Sequence, residues 1–151
     1  MIIDIHSHFW RFPGDFSDDF MRQARRARAG AEVDLAVTYE AYRASLPAGE
    51  DVRTVVFGGK ARLSGLWIDD KTVAGYVAKH PDQLIGFLSV DPTRDGWEKE
   101  MRAGHEDLGL RGIKLLPMYA GFSPDEDRLE PLWEYAEEKQ LPVLLHMGTT
   151  F

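Results

Sequence analysis

Five short apolar runs recur along the 151 residues, and stretches with helical spacing separate them. The runs cover residues 2–7, 52–57, 84–90, 110–116 and 142–146. Strands that alternate with helices form successive βα units. Such units build a parallel sheet with right-handed crossovers, which excludes most all-α and all-β architectures. Between the first two runs, Ser17 is a plausible N-cap for a helix carrying Phe20, Met21, Ala24 and Ala27 on one stripe. Residues 38–51 are less regular and read as a short helix and loop within the first crossover. A second helix over residues 71–79 buries Val73, Tyr76 and Val77. It stops at His80-Pro81, because a residue before proline avoids the α region. Trp97, Met101 and Leu108 mark a third helix that Gly109 ends. Ser123-Pro124-Asp125-Glu126 has the capping-box pattern and predicts a fourth helix from that point, with Leu129, Leu132, Trp133 and Ala136 on one face. With no repeat, linker or low-complexity segment, residues 1–151 read as part of a single domain.

The chemistry is concentrated at strand ends. In a strand, residues i and i+2 share a face, so the first run places Asp4, His6 and His8 together and turns Ile3 and Ile5 toward covering helices. Two imidazoles on a buried face need partners, since each unpaired buried polar group costs about 1–3 kcal/mol. One metal ion satisfies both, and imidazole suits zinc and neighbouring transition ions. The plainer alternative is a chance His-x-His with two solvated side chains. His146 weighs against it, because it ends another apolar strand, and functional side chains of parallel α/β folds gather at strand C-termini. His80 and His105 lack such a position and read as surface or capping residues. Lys114 shares its strand parity with Gly112 and Leu116 and so faces inward, where it can bind a substrate carboxylate; otherwise it snorkels to the rim. Phe9 and Trp10 are candidates for a pocket mouth or for ordinary packing. Arg22, Arg25, Arg26 and Arg28 read as a solvated helix face, and Asp91 as a strand end on the functional rim.

The segments IDIHSHFW, HPDQLIGFLSVDP, LGLRGIKLLP and LPVLLHMG, in this order, resemble the amidohydrolase superfamily. They are most similar to its amidohydrolase-2 branch, which includes aminocarboxymuconate-semialdehyde decarboxylase and many metal-dependent hydrolases. The resemblance implies a parallel (β/α)8 barrel, of which these residues are the first five strands. It implies that His6, His8 and His146 bind a divalent ion, zinc in the first place, and that the protein is a hydrolase or a lyase for a small organic substrate. In some relatives a carbamylated strand lysine bridges two metals; for Lys114 the substrate-side role is preferred. The family's further histidine after strand six and aspartate after strand eight have no counterpart in these 151 residues, so the sequence assigns no catalytic residue.

A net charge of -7 argues against sequence-independent nucleic-acid binding, which needs a basic face. The absence of cysteine, of a signal-like N-terminus and of any run of membrane-spanning length points to a soluble, cytoplasmic protein with no membrane partner. Two rival readings stand beside the enzyme. A metal-dependent deoxyribonuclease or phosphoesterase would need carboxylate clusters at strand ends, where only Asp91 is found. A catalytically incomplete half-barrel would expose edges at strands one and five and associate, for example as a homo-oligomer.

Overall fold

The structure is a computed structural model and describes residues 1–148. Five parallel strand positions form a curved wall. The first strand, β1 (Ile2–His8), pairs with β2 (Val52–Phe57), and β2 pairs with β5 (Leu84–Gly86). A second ladder joins β6 (Leu88–Val90), β7 (Ile113–Leu115) and β8 (Val143–Leu145), again all parallel. The run 84–90 thus serves two ladders rather than one. At its break the Phe87 N–H donates to Val56 (2.9 Å), whereas the Leu88 N–H donates to Gly112 (2.9 Å). Successive backbone groups of a strand point to opposite sides, so this hand-over keeps the wall continuous while it bends. Gly112 makes room for the bend, since a Cβ there would come within 2.4 Å of the Phe87 ring.

The wall has two apolar faces. On the outside, Leu88, Val90, Ile113 and Leu115 pack against Met101 of α4 (Trp97–Glu106) and Leu132, Tyr135 and Ala136 of α6 (Glu130–Glu138). On the inside, Val55, Phe57 and Phe87 form a smaller cluster with Ile85 and Leu144. Strand alternation explains Lys114, whose neighbours Ile113 and Leu115 belong to the outer core.

The helices follow the sequence with two departures. The Ser17 Oγ caps α1 (Asp18–Ala27) by accepting from the Phe20 N–H at 3.1 Å. The irregular crossover contains α2 (Tyr39–Ser45), capped by Thr38. The helix α3 (Asp70–Val77) ends before His80-Pro81. The capping box forms only in part: Glu126 accepts from the Ser123 N–H at 2.7 Å, but the Ser123 hydroxyl turns to Asp125. A turn and a 3-10 segment follow, so α6 begins at Glu130, not at Pro124. Pro117 does not simply end a strand. It opens the short helix α5 (Pro117–Ala120), where its fixed φ and missing N–H are tolerated.

Two further features differ from expectation. Between Asp4 and Ser7, β1 carries one residue more than its partner, and this bulge alters the simple alternation. Ile3 and Ile5 are 51% and 61% exposed, so no element of these residues covers that face of β1. After Gly58-Gly59 the chain makes an antiparallel hairpin, β3 (Lys60–Ala61) with β4 (Leu66–Trp67), turning through Gly65 at φ 75°. Among the described residues, no helix is long and apolar enough to cross a membrane.

A buried ion pair fixes this hairpin. The Lys60 Nζ lies 2.7 Å from Asp70, whose other oxygen accepts from the Ser89 N–H at 3.0 Å. Burial raises the Asp70 pKa, and the adjacent Lys60 opposes that shift. Removing Asp70 would leave the buried Lys60 ammonium with only the partly exposed Glu100, at 3.3 Å, for a partner. Asp70→Asn is therefore expected to lower stability by about 3 kcal/mol in chemical denaturation, and the apolar pair Lys60→Met with Asp70→Leu by much less.

Candidate metal centre

The three histidines predicted from sequence converge on one cavity at the C-terminal end of the wall. It encloses about 500 Å3, and its lining includes His6, His8, His146, Trp10, Phe16 and Tyr119. The His6 and His8 rings stand 5.2 Å apart, centroid to centroid. Both meet the Phe57 ring edge to face, at 5.1 and 4.6 Å. His8 also stacks on Trp10 at 4.3 Å. His146 follows β8 directly. Its N–H donates to the Leu115 carbonyl at 3.0 Å, which carries the ladder one residue further, and its ring meets Tyr119 edge to face at 5.1 Å.

Lys114 does not line the cavity, but it lies close enough behind it for its charge to act on all three histidines. Its side chain is fully buried, and its Nζ stands 4.5 Å over the Phe57 ring without a hydrogen-bond partner. Burial pulls its pKa down to about 8. The same loss of water, followed by the charges of Lys114 and His146, lowers the pKa of His6. His146 is lowered by burial and then by Lys114. His8 falls furthest, to about 3, chiefly through burial and then through His6 and Lys114. All three imidazoles are thus neutral at pH 7, the form that offers a lone pair to a metal.

The donor set fits a divalent ion in kind. The His8 Nδ1 is buried and unpaired, so an ion or an ordered water at the cavity would satisfy it. Among the described residues, however, no three His, Asp or Glu side chains form a ready metal cage. The histidines share a cavity without closing around a single point. Asp4, placed with them by strand parity, is engaged elsewhere. Its carboxylate accepts from the Tyr42 hydroxyl at 2.7 Å and from the His6 N–H at 3.1 Å, and Tyr42 also bonds Thr54.

The remaining candidates separate cleanly. Trp10 lines the cavity, whereas Phe9 turns away to stack on Tyr76 at 3.8 Å. Of the arginine cluster, Arg28 reaches the cavity lining and Arg22 pairs with Asp19 at the surface. Asp91 is buried and accepts from the N–H groups of Arg62 and Thr93, so it clasps a loop. His80 stacks on Tyr39 at 3.5 Å, and the His105 Nδ1 meets the Tyr135 hydroxyl at 2.8 Å. Tyr119, Phe16, Val33 and Leu35 also line the cavity, and no sequence signal marked them. Their only cue is spacing: Val33 and Leu35 alternate with exposed Glu32 and Asp34 in an otherwise irregular stretch.

A parallel wall with helices returning the chain across its outer face has the architecture of the first strands of a (β/α)8-type barrel. The chain belongs to the amidohydrolase family, whose sequence profile matches residues 3–151. Among curated proteins, no sequence matches it. Solved structures agree on the fold. The 5-carboxyvanillate decarboxylase of Novosphingobium aromaticivorans, solved with bound manganese and 3-methoxy-4-hydroxy-5-nitrobenzoic acid, aligns with TM-score 0.75 at 19% identity over 99% of this chain and 51% of its own. A TIM-barrel protein from Bordetella bronchiseptica gives 0.65 at 22% identity, over 99% and 56%. The 2,6-dihydroxybenzoate decarboxylase from Rhizobium gives 0.64 at 17% identity, over 99% and 50%. The chain therefore spans about half the length of these structures.

The depressed His8 pKa makes a signed prediction. Between about pH 3 and 6.5 the unfolded chain binds a proton at His8 that the folded chain refuses. Metal-free stability is expected to fall as pH drops below 6.5, and His8→Gln to flatten that fall. Denaturation midpoints measured from pH 7 to pH 4.5 check it, and an equal slope in both proteins would refute the assigned burial of His8.

Proposed function

We propose that this chain supplies the metal-holding part of the active site of a metal-dependent hydrolase or non-oxidative decarboxylase acting on a small organic substrate. One observation carries the reading: three neutral imidazoles from two strands line one cavity beside a buried, unpaired lysine. His6, His8 and His146 would hold the ion. Imidazole donors suit zinc, and the manganese of the 5-carboxyvanillate decarboxylase supports a divalent ion in general. When bound, such an ion polarises a substrate oxygen or lowers the pKa of a coordinated water.

The chain's own groups account for binding and orientation. Lys114 would meet a substrate carboxylate, since a charged partner removes the penalty of its unpaired burial. Phe57 lies beneath its Nζ, and Trp10 and Phe16 present apolar faces that exclude water. The decarboxylases among its structural neighbours act on aromatic acids by name, which favours a carboxylate over an amide or ester.

The test is metal stoichiometry in the purified full chain. Equilibrium dialysis against Zn2+ or Mn2+ is expected to give one ion per chain, lost in the double variant His6→Ala with His8→Ala. Lys114→Met should keep the ion but weaken binding of a carboxylate ligand by about tenfold, the scale of one charge-assisted hydrogen bond. Unchanged metal content in the double variant would refute the ligand assignment.

A further inference from the structure

Between α1 and α2, residues 31–38 form neither helix nor strand and pass beside the cavity. Val33 is buried, Leu35 and Val37 are half-buried, and Glu32, Asp34 and Ala36 between them are exposed. Val33 and Leu35 line the cavity, so this strap is one of its walls. Yet it pairs with no strand. Among the described hydrogen bonds, a single one ties residues 32–37 to another part of the chain: the Trp10 indole N–H donates to the Leu35 carbonyl. The same indole lies nearly parallel to the His8 ring, at 4.3 Å and 22°, with Phe16 against its edge at 5.3 Å.

We propose that Trp10 is a positioning residue that couples the closed strap to the orientation of the His8 ring, a reading that rests on the metal centre proposed above. The indole has two contacts that matter, one along its edge to the strap and one across its face to the imidazole. Release of the strap removes the hydrogen bond that fixes the indole plane, and a turned indole no longer supports the face of His8. Conversely, a metal ion that holds the His8 ring in place holds the indole and, through it, the strap. Linkage requires the two effects to be equal: the factor by which closure tightens metal binding is the factor by which metal favours closure. The strap would then shut the apolar wall of the cavity when the ion is present.

The experiment uses the full chain with Mn2+ as probe and reads two quantities. One is the Mn2+ Kd from electron paramagnetic resonance. The other is the rate at which a glutamate-specific protease cuts after Glu32, with and without Mn2+. Wild type is expected to bind Mn2+ and, when saturated, to be cut about tenfold more slowly, within the usual range of coupling between sites. Trp10→Phe keeps an aromatic face for His8 but loses the N–H, so it should be cut rapidly whether or not Mn2+ is present. Its Mn2+ Kd should rise by the factor of protection that it has lost. Trp10→Ala, if folded by circular dichroism, should exceed it on both readouts. A Trp10→Phe protein with wild-type Kd and wild-type protection would overturn the coupling while leaving the metal centre standing. Failure of wild type itself to bind Mn2+ would overturn the metal centre and the coupling together.

Discussion

Parallel strand pairing is the constraint on which the rest of this structure depends. Strands that run the same way must all end on the same side, and the helices that return the chain must cover the outer face. That arrangement brings His6 and His8, near the start of the sequence, into one cavity with His146 near its end. No local preference of those residues would do so. The site is thus a consequence of the ladder, and the ladder is held by the outer core of Leu88, Ile113, Leu115, Leu132 and Tyr135.

The inner face is a place of concentrated electrostatic cost. A buried lysine without a hydrogen-bond partner would be expelled or neutralised in most cores. Here the Phe57 ring beneath Lys114 offsets part of the penalty, about 0.5–2 kcal/mol for a cation over an aromatic face. Loss of water, greatest at His8, and the charge of Lys114 keep the imidazoles uncharged. A cavity of this kind disfavours added protons and favours lone-pair donation, which matches ligand chemistry better than acid–base chemistry. The outer ion pair of Lys60 and Asp70 is different, because each charge has its partner and serves to dock the hairpin.

Much of this was legible in the sequence where periodicity was strong. The strand runs and the Ser17 cap follow from alternation and spacing, whereas the bulge in β1 means that the facing of His6 and His8 does not follow from alternation alone. The hand-over at Phe87 was not legible, because a run of apolar residues carries no sign of which neighbour each N–H will choose. The late start of α6 reflects a competition within four residues, in which the Ser123 hydroxyl prefers Asp125 and the helix waits for Glu130. Asp4 left the histidine set through a one-residue bulge and a tyrosine thirty-eight positions away, a pairing set by tertiary structure alone. The strap over residues 31–38 was not legible for a related reason: it pairs with no strand, and Val33 and Leu35 line the cavity only because the fold brings them there.

One divalent ion held by nitrogen from both edge strands of the wall is the proposal on which the functional reading turns. X-ray absorption at the metal edge of the Zn2+-loaded full chain tests it most directly. The account predicts a first shell containing imidazole nitrogen at about 2.0–2.1 Å, with the multiple-scattering pattern of histidine reduced by one ligand in His146→Ala. A shell of oxygen alone, or a spectrum unchanged in that variant, would contradict it.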